Sequence, residues 1–204
     1  DHPLFPRYTD IEDLRSYPNV FNWGSHVVVS EKIHGTNCRV GFVRNDDGSI
    51  ESMAGGRTLR RLDPAEGITD PEDRAKARES HTYWHPWSIP GVSRLMRELD
   101  YSGHKQAVLF GEIYGRGVQS YNYGRKNIGF TAFDLMIDSE YVGYRDFIWF
   151  MNEYEIDRVP ALYVGFFDMQ RIIGLSNGET KMTDDRTHGR EGVVIRPYFK
   201  EVRH

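Results

Sequence analysis

The hydrophobic positions along the chain fall mainly in short runs separated by glycine-containing turns, a pattern typical of antiparallel strands. Strands are predicted in five segments, which are residues 26–35, 38–56, 107–115, 128–138 and 191–199. The second segment is predicted to form a hairpin, because Asn-Asp-Asp-Gly divides it into two strand-like runs and glycine can adopt the positive φ of the turn.

Helical spacing of apolar residues is rarer. Residues 90–99 show it, with one apolar face formed by Val92, Leu95, Met96 and Leu99. We expect a second helix over residues 145–154. Residues 63–80 are charged and poor in apolar side chains, so a mobile surface loop or a frayed helix is expected there. Together these elements predict an α+β fold dominated by antiparallel sheet.

Length and charge limit the classes of protein. A chain of 204 residues can bury one good core, and we expect residues 1–204 to form a single domain. The formal net charge of −4 gives no general affinity for nucleic acid. Phosphate binding would therefore have to come from local basic clusters such as residues 57–61 and 116–126.

Cys38 is the single cysteine, so neither a disulfide framework nor a cysteine-based zinc site is expected. No apolar run approaches the roughly 18 residues that span a membrane. The N-terminal residues show no signal-peptide pattern, and residue 1 is not methionine, so the natural chain need not begin there. We expect a cytoplasmic protein that does not act on membranes.

The candidate chemistry begins at Lys32, which ends an apolar strand and is followed by Gly35. A lysine amine is a nucleophile only when burial or neighbouring cations favour its neutral form. Taken alone, Lys32 could equally be a strand-end lysine that reaches water beside a turn.

Acidic residues inside other predicted strands change that balance. Glu112 lies between two glycines, Asp134 follows Phe133 in an apolar run, and Glu191 begins the last strand. Any one of them could belong to a structural ion pair, because buried charges need partners. Lys32, Glu112 and Glu191 each stand near a glycine on separate strands, and this predicts that they converge on one cleft.

Taken in order, these segments resemble the motifs of the covalent nucleotidyltransferase superfamily, and in particular the RNA ligase 2-like family of ATP-dependent RNA ligases. EKIHGTN, which contains Lys32 and Gly35, is similar to the RNA-ligase form of motif I. DNA ligases and capping enzymes usually have aspartate where this chain has His34. The other matching segments are AGGRT for motif Ia, FGEIYG for motif III, FTAFD for motif IIIa and EGVVIRP for motif IV.

The resemblance implies a nucleotidyltransferase domain of antiparallel sheets flanked by helices, with the ATP cleft between the sheets. The implied activity joins RNA 5′-phosphate and 3′-hydroxyl ends, using ATP and Mg²⁺ or Mn²⁺, in a protein that acts as a monomer. Lys32 would attack the α-phosphate of ATP and form a lysyl-AMP intermediate. AMP would then pass to the 5′-phosphate, and the 3′-hydroxyl would displace it.

The resemblance also assigns binding roles. Glu31 would lie near the adenine amino group, Glu112 would bind the ribose, and Ile33 would belong to the nucleotide site. Phe133 would stack on the purine, although it could instead be a core aromatic with Phe130 in its place. The remaining roles are metal binding for Glu191, contact with the 5′-phosphate or AMP phosphate for Arg57, contact with the triphosphate for Arg196, and service in the later steps for His34 and Asn37.

One family feature is missing. Motif V, a strand with two lysines separated by one residue, has no counterpart after residue 197. Either the chain is shortened, or a tail is missing, or other cations such as Lys200 and Arg203 take over. A small ATP-dependent DNA ligase, a guanylyltransferase and a catalytically silent nucleotide- or RNA-binding module therefore remain alternatives.

Two further groups carry open interpretations. His81 and His85 stand at i, i+4 spacing, but Pro86 and the tryptophans nearby favour a packed loop over a metal site. Residues 121–123 (Tyr-Asn-Tyr), between Gln119 and Arg125, suit either a nucleic-acid surface or an exposed polar hairpin.

Overall fold

The computed structural model describes residues 2–183 and 188–199. Its strands are β1 His26–Glu31, β2 Thr36–Arg44, β3 Ile50–Gly55, β4 Arg60–Arg61, β5 Gln106–Gly115, β6 Ile128–Ile137, β7 Glu140–Tyr141, β8 Ala161–Phe166 and β9 Val193–Pro197. Its α-helices are α1 Pro71–Ser80, α2 Pro90–Tyr101, α3 Tyr144–Glu153 and α4 Met169–Ser176.

The strands form two antiparallel sheets. The larger has six strands in the order β4-β3-β2-β5-β6-β7, and the smaller has three in the order β8-β1-β9. The chain passes directly from β1 of the small sheet to β2 of the large sheet through residues 32–35. The EKIHGTN segment therefore lies at the junction between the sheets.

The main core lies on one face of the large sheet, where α2 and α3 pack against it. The face of α2 that the sequence predicted is buried there, with Val92 and Leu95 fully inaccessible to solvent. On the opposite face of the sheet, Phe5 from the N-terminal segment packs against Phe110 and its neighbours. The small sheet has its own core, in which Val27 and Val29 pack against Ile172 of α4.

Helix α1 occupies the segment expected to be a mobile loop or a frayed helix. The Asp70 carboxylate accepts hydrogen bonds from the backbone N–H groups of Glu72 and Asp73, and Pro71 stands in the first turn. The helix buries no residue. Local capping thus accounts for a helix that the apolar pattern alone did not predict.

The predicted α+β class, with antiparallel sheets flanked by helices, is confirmed. The predicted strands and the helices near residues 90–99 and 145–154 are also present. Strand β8 and helix α4 were not predicted. Among the helices of residues 2–183 and 188–199, none combines the length and apolar character needed to cross a bilayer.

Candidate active site

Residues 32–35 are fixed between the sheets by backbone contacts. The Glu31 and Lys32 N–H groups donate hydrogen bonds to the carbonyls of Pro160 and Gly192, both at 3.0 Å. Gly35 lies so close to β5 that an added Cβ would stand 2.4 Å from the Ile113 carbonyl oxygen. The glycine of this segment is therefore required by the close approach of two strands, whatever the ligand.

Lys32 and His34 both contact Glu191. The Lys32 ammonium donates a hydrogen bond to Glu191 Oε1, and His34 Nδ1 lies 3.3 Å from Glu191 Oε2. The side chain of Lys32 is 53% exposed and that of Glu191 is 31% exposed. Since the pair is open to solvent, it contributes little to folding stability and can be reached by a ligand.

Glu112 stands beside Asn37, its partner across the β2–β5 ladder. Burial raises the pKa of Glu112 from 4.5 to about 8, against a hydrogen bond from the Asn37 side chain, and the nearby Glu191 charge also raises it. Lys32 acts in the opposite direction. Within the described residues, the buried Oδ1 of Asn37 has no hydrogen-bond partner. An unpaired buried acceptor at a cleft is a place where a ligand hydroxyl or amine can bind.

Phe133 faces the cleft because β6 contains a bulge. Phe110 of β5 pairs with Asp134, and the next residue of β5, Gly111, pairs with Ala132, so Phe133 is the extra residue. A bulge turns consecutive side chains toward the same face of a sheet. Phe130, the alternative candidate for purine stacking, is only 3% exposed and belongs to the main core.

Tyr8, which the sequence analysis did not single out, forms a wall beside Phe133. Its ring meets the Phe133 ring edge-on at 4.8 Å between centroids. Its hydroxyl donates a hydrogen bond of 2.9 Å to Asp134. Burial, together with the Asp134 charge, raises the pKa of Tyr8 well above its usual value, so the phenol keeps its proton.

Arg196 does not present a free guanidinium to the cleft. The guanidinium donates to the Phe133 carbonyl oxygen and lies 3.4 Å from Asp134 Oδ1. It also packs over the rings of Tyr144 and Phe147, each at 4.9 Å. These contacts hold the β6 bulge in place and leave little of the guanidinium for a triphosphate.

Glu31 is buried and already bonded. Thr180 Oγ1 donates to its carboxylate at 2.5 Å, and the Lys181 N–H donates at 2.7 Å. Since each carboxylate oxygen can accept two hydrogen bonds, Glu31 can still accept one from a ligand amine. Its observed partners fix the loop that follows α4 against β1.

Arg57 lies at the rim of the cleft. Its side chain is 70% exposed and forms a salt bridge of 3.1 Å with the exposed Asp10. Solvent-exposed pairs of this kind are easily exchanged for a ligand phosphate.

A small cavity and a wide cleft meet at Lys32. The cavity, of about 110 Å³, has an apolar wall formed by Tyr8, Ile33 and Phe133 and also borders Glu31 and Arg196. The cleft, of about 830 Å³, adds Arg57 and Glu191. Lys32, Asn37 and Glu112 line both, so the predicted site residues surround one continuous space, with His34 joined to it through Glu191.

Tyr8, Ser120 and Tyr123 are site neighbours that the sequence analysis did not assign to the site. The Tyr123 hydroxyl accepts a 2.7 Å hydrogen bond from the His34 N–H, and Ser120 Oγ lies 3.0 Å from His34 Nε2. The aromatic composition of residues 121–123 was a signal for a functional surface. Nothing in the sequence signalled Tyr8, because its contact with Asp134 spans 126 positions.

The other sequence candidates lie apart from this space. His85 Nδ1 lies 3.1 Å from the Glu79 carbonyl oxygen in a short helix whose Pro86 is buried. Among residues 2–183 and 188–199, no group of three or more His, Cys, Asp or Glu side chains could hold a metal ion. Lys200 and Arg203, the proposed substitutes for motif V, lie outside the described residues.

Several solved structures share the fold. A Naegleria gruberi RNA ligase variant with ATP and Mn superposes with a TM-score of 0.75 at 18% identity, over 98% of this chain and 55% of that one. The same ligase with PPi gives 0.72 at 19% identity, and a variant with AMP and Mn gives 0.71 at 18%, each over 98% of this chain and 55% of that one. The chain thus spans about half the length of these structures.

No curated protein sequence matches the chain at a significant level. Residues 25–203 match the model of the RNA ligase family. That match covers most of the sequence, including all the segments from β1 to β9 that surround Lys32. The chain therefore belongs to the RNA ligase family.

Proposed function

We propose that the chain is the nucleotidyltransferase domain of an ATP-dependent RNA ligase that joins 5′-phosphate and 3′-hydroxyl ends through lysyl-AMP. One observation carries the proposal: Lys32 stands where a small apolar cavity opens into a polar cleft lined by Glu112 and Glu191. A purine fits the apolar part and phosphates fit the open part. The amine at their junction is then placed to meet the α-phosphate.

The first step requires Lys32 to leave its ion pair and lose a proton. Glu191, which already accepts a hydrogen bond from the ammonium, is the nearest base. The free amine forms a nitrogen–phosphorus bond to the α-phosphate as the bond to pyrophosphate breaks. Catalysis then depends on holding the amine in line and balancing oxygen charge.

A divalent cation fits the residues present. Mg²⁺ is commonly bound through one or two carboxylates together with substrate phosphates, rather than by a protein cage. Glu191 offers a partly exposed carboxylate in the open cleft. Such an ion, when bound, neutralises developing charge on the phosphate oxygens.

The adenosine would be held by the cavity walls. Phe133 and Tyr8 offer aromatic surface for the purine. The unpaired Asn37 Oδ1 and the Glu112 carboxyl offer hydrogen bonds to ribose hydroxyls. The Naegleria gruberi ligase binds ATP, AMP and pyrophosphate in structures of this fold, which supports a nucleotide in this cleft.

The later steps need groups beside the AMP and at the cleft rim. His34 lies within reach of Glu191, and Arg57 can exchange its exposed salt bridge for the 5′-phosphate of an RNA end. For Arg196 we propose a scaffolding role in place of contact with the triphosphate, because its guanidinium is bound to the Phe133 carbonyl and Asp134.

The proposal is tested with nicked duplexes made of RNA or of DNA, each carrying a 5′-phosphate and a 3′-hydroxyl at the nick. With ATP and Mn²⁺, sealing of the RNA nick is expected, whereas GTP and the Lys32→Ala variant should give none. Preferential sealing of the DNA nick would replace RNA ligase by DNA ligase. Labelling by GTP in place of ATP would indicate a guanylyltransferase.

A further inference from the structure

The turn between β5 and β6 carries concentrated positive charge. Residues 116–127, here called the basic hairpin, contain Arg116, Arg125 and Lys126 and no acidic residue, in a chain whose net charge is −4. All three cations are exposed. Such a segment attracts a polyanion to one place on an otherwise acidic protein.

The basic hairpin is fixed relative to the candidate active site. Tyr123 is 2% exposed, and its hydroxyl accepts the 2.7 Å hydrogen bond from the His34 N–H. Arg125 donates to the Tyr114 hydroxyl at 3.2 Å and packs over that ring. Tyr123 adopts a positive φ of 51°, which turns the chain back toward β6. The hairpin is therefore tied to EKIHGTN through its own side chains.

A row of three rings runs from the site along the hairpin. The ring centroids of His34 and Tyr121 are 4.9 Å apart, and those of Tyr121 and His188 are 4.8 Å apart with the planes only 20° from parallel. We call these three residues the aromatic row. His34 at its inner end lies 3.3 Å from Glu191, which bonds Lys32.

We infer that the aromatic row and the basic hairpin bind the terminal nucleotides of the RNA strand presented to Lys32. Single-stranded RNA is held by aromatic rings that stack on bases, next to cations that follow the phosphates. Here a row of rings leads to the nucleophile, and Arg116 and Lys126 stand on the same hairpin. The inference rests on the proposed function, because it names the surface by which that site receives RNA.

Packing alone offers another explanation for the row. Tyr121 and His188 also join the hairpin to the segment that carries Glu191, so removing Tyr121 could disturb the site indirectly. Tyr121→Leu distinguishes the two, since leucine keeps apolar bulk against His188 and removes the aromatic stacking surface. Tyr101, 93% exposed at the end of α2, provides the matched control Tyr101→Leu.

The test uses a fluorescein-labelled single-stranded RNA with a 3′-hydroxyl, followed by anisotropy, and the same RNA with 2-aminopurine as its terminal base. Tyr121→Leu is expected to weaken binding about 10-fold and to abolish the quenching of 2-aminopurine that the wild type produces. Tyr101→Leu should behave as the wild type. AMP uptake by Tyr121→Leu should continue, because the nucleotide cavity does not include Tyr121.

Charge is tested separately with Arg116→Ala and with Arg97→Ala, which removes an exposed cation from α2. Arg116→Ala should reduce the slope of log Kd against log salt by about 0.7, and Arg97→Ala should leave it unchanged.

Three results would overturn the inference: no RNA binding by the wild type, wild-type binding and quenching by Tyr121→Leu, or equal losses of AMP uptake and RNA binding in that variant. Failure of the proposed function is distinguishable, because it appears as a wild-type protein that takes up no AMP while RNA binding is still measured.

Discussion

Lys32 and Glu191 form an ion pair although 159 positions separate them in the chain. The pair joins the connection between the two sheets to the residues just before β9. Both side chains are partly exposed, so their attraction adds little to stability. Its importance is chemical, because it holds the candidate nucleophile next to a base in the open cleft.

Glu191→Gln should therefore separate catalysis from stability. The variant keeps the size of the side chain but loses the base and the anionic metal ligand. We expect AMP uptake in single-turnover experiments to fall by about 100-fold, as when one charge-stabilising group is removed from an active site. The free energy of unfolding should change by less than about 1 kcal/mol. AMP uptake at the wild-type rate would contradict the role of Glu191.

Glu112 makes the ligand-free protein sensitive to pH. Its pKa of about 8 lies above that of the unfolded chain, so the folded state retains a proton that the unfolded state releases. This contribution to stability is complete below about pH 4, where both states are protonated, and is lost as pH rises through about 8. The unfolding free energy should therefore fall by up to about 1 kcal/mol per pH unit within that window.

Chemical denaturation at several pH values measures this effect. Glu112→Gln, which stays neutral, should flatten the profile between about pH 5 and 8. Glu66→Gln, at an exposed position, should leave the wild-type slope unchanged. A wild-type slope in Glu112→Gln would mean that Glu112 is already ionised in the folded protein.

Gly35→Ala should damage the site through the backbone. The new Cβ would meet the Ile113 carbonyl oxygen at 2.4 Å and Glu112 Oε2 at 3.2 Å, so β2 and β5 must separate. A loss of about 1–3 kcal/mol of stability, with impaired AMP uptake, is expected. Gly174→Ala is the control, because a Cβ there meets nothing within 4 Å. Normal melting and AMP uptake by Gly35→Ala would refute the close-approach argument.

Arg196→Lys tests whether Arg196 is a scaffold. Lysine cannot reproduce the planar contacts with the Phe133 carbonyl, Asp134 and two aromatic rings. We expect a loss of about 2 kcal/mol in thermal or chemical unfolding. The exposed Arg145→Lys should melt as the wild type does. Unchanged melting together with a raised KM for ATP would instead support contact with the triphosphate.

The sequence predicted the parts of the fold in which apolar pattern and burial agree. Strand β8 and helix α4 were missed because their apolar residues are poorly buried: Phe166 is 65% exposed and Ile173 is 59% exposed. Helix α1 carried a readable signal in Asp70 and Pro71 that its charged composition obscured.

The site was predictable where chemistry is unusual for its position. A lysine ending an apolar strand and glutamates inside strands led to the surroundings of Lys32 before any coordinates. The location of Phe133, rather than Phe130, at the cavity depends on a bulge that no residue pattern shows. The wall formed by Tyr8 exists only because the N-terminal segment folds onto the large sheet.

The most direct test of the account is the intact mass of the protein after incubation with ATP and Mn²⁺, followed by peptide mapping of the adduct. The account predicts a mass gain equal to AMP, carried by Lys32 and absent from Lys32→Ala. An unchanged mass, or an AMP adduct that persists in Lys32→Ala, would contradict it.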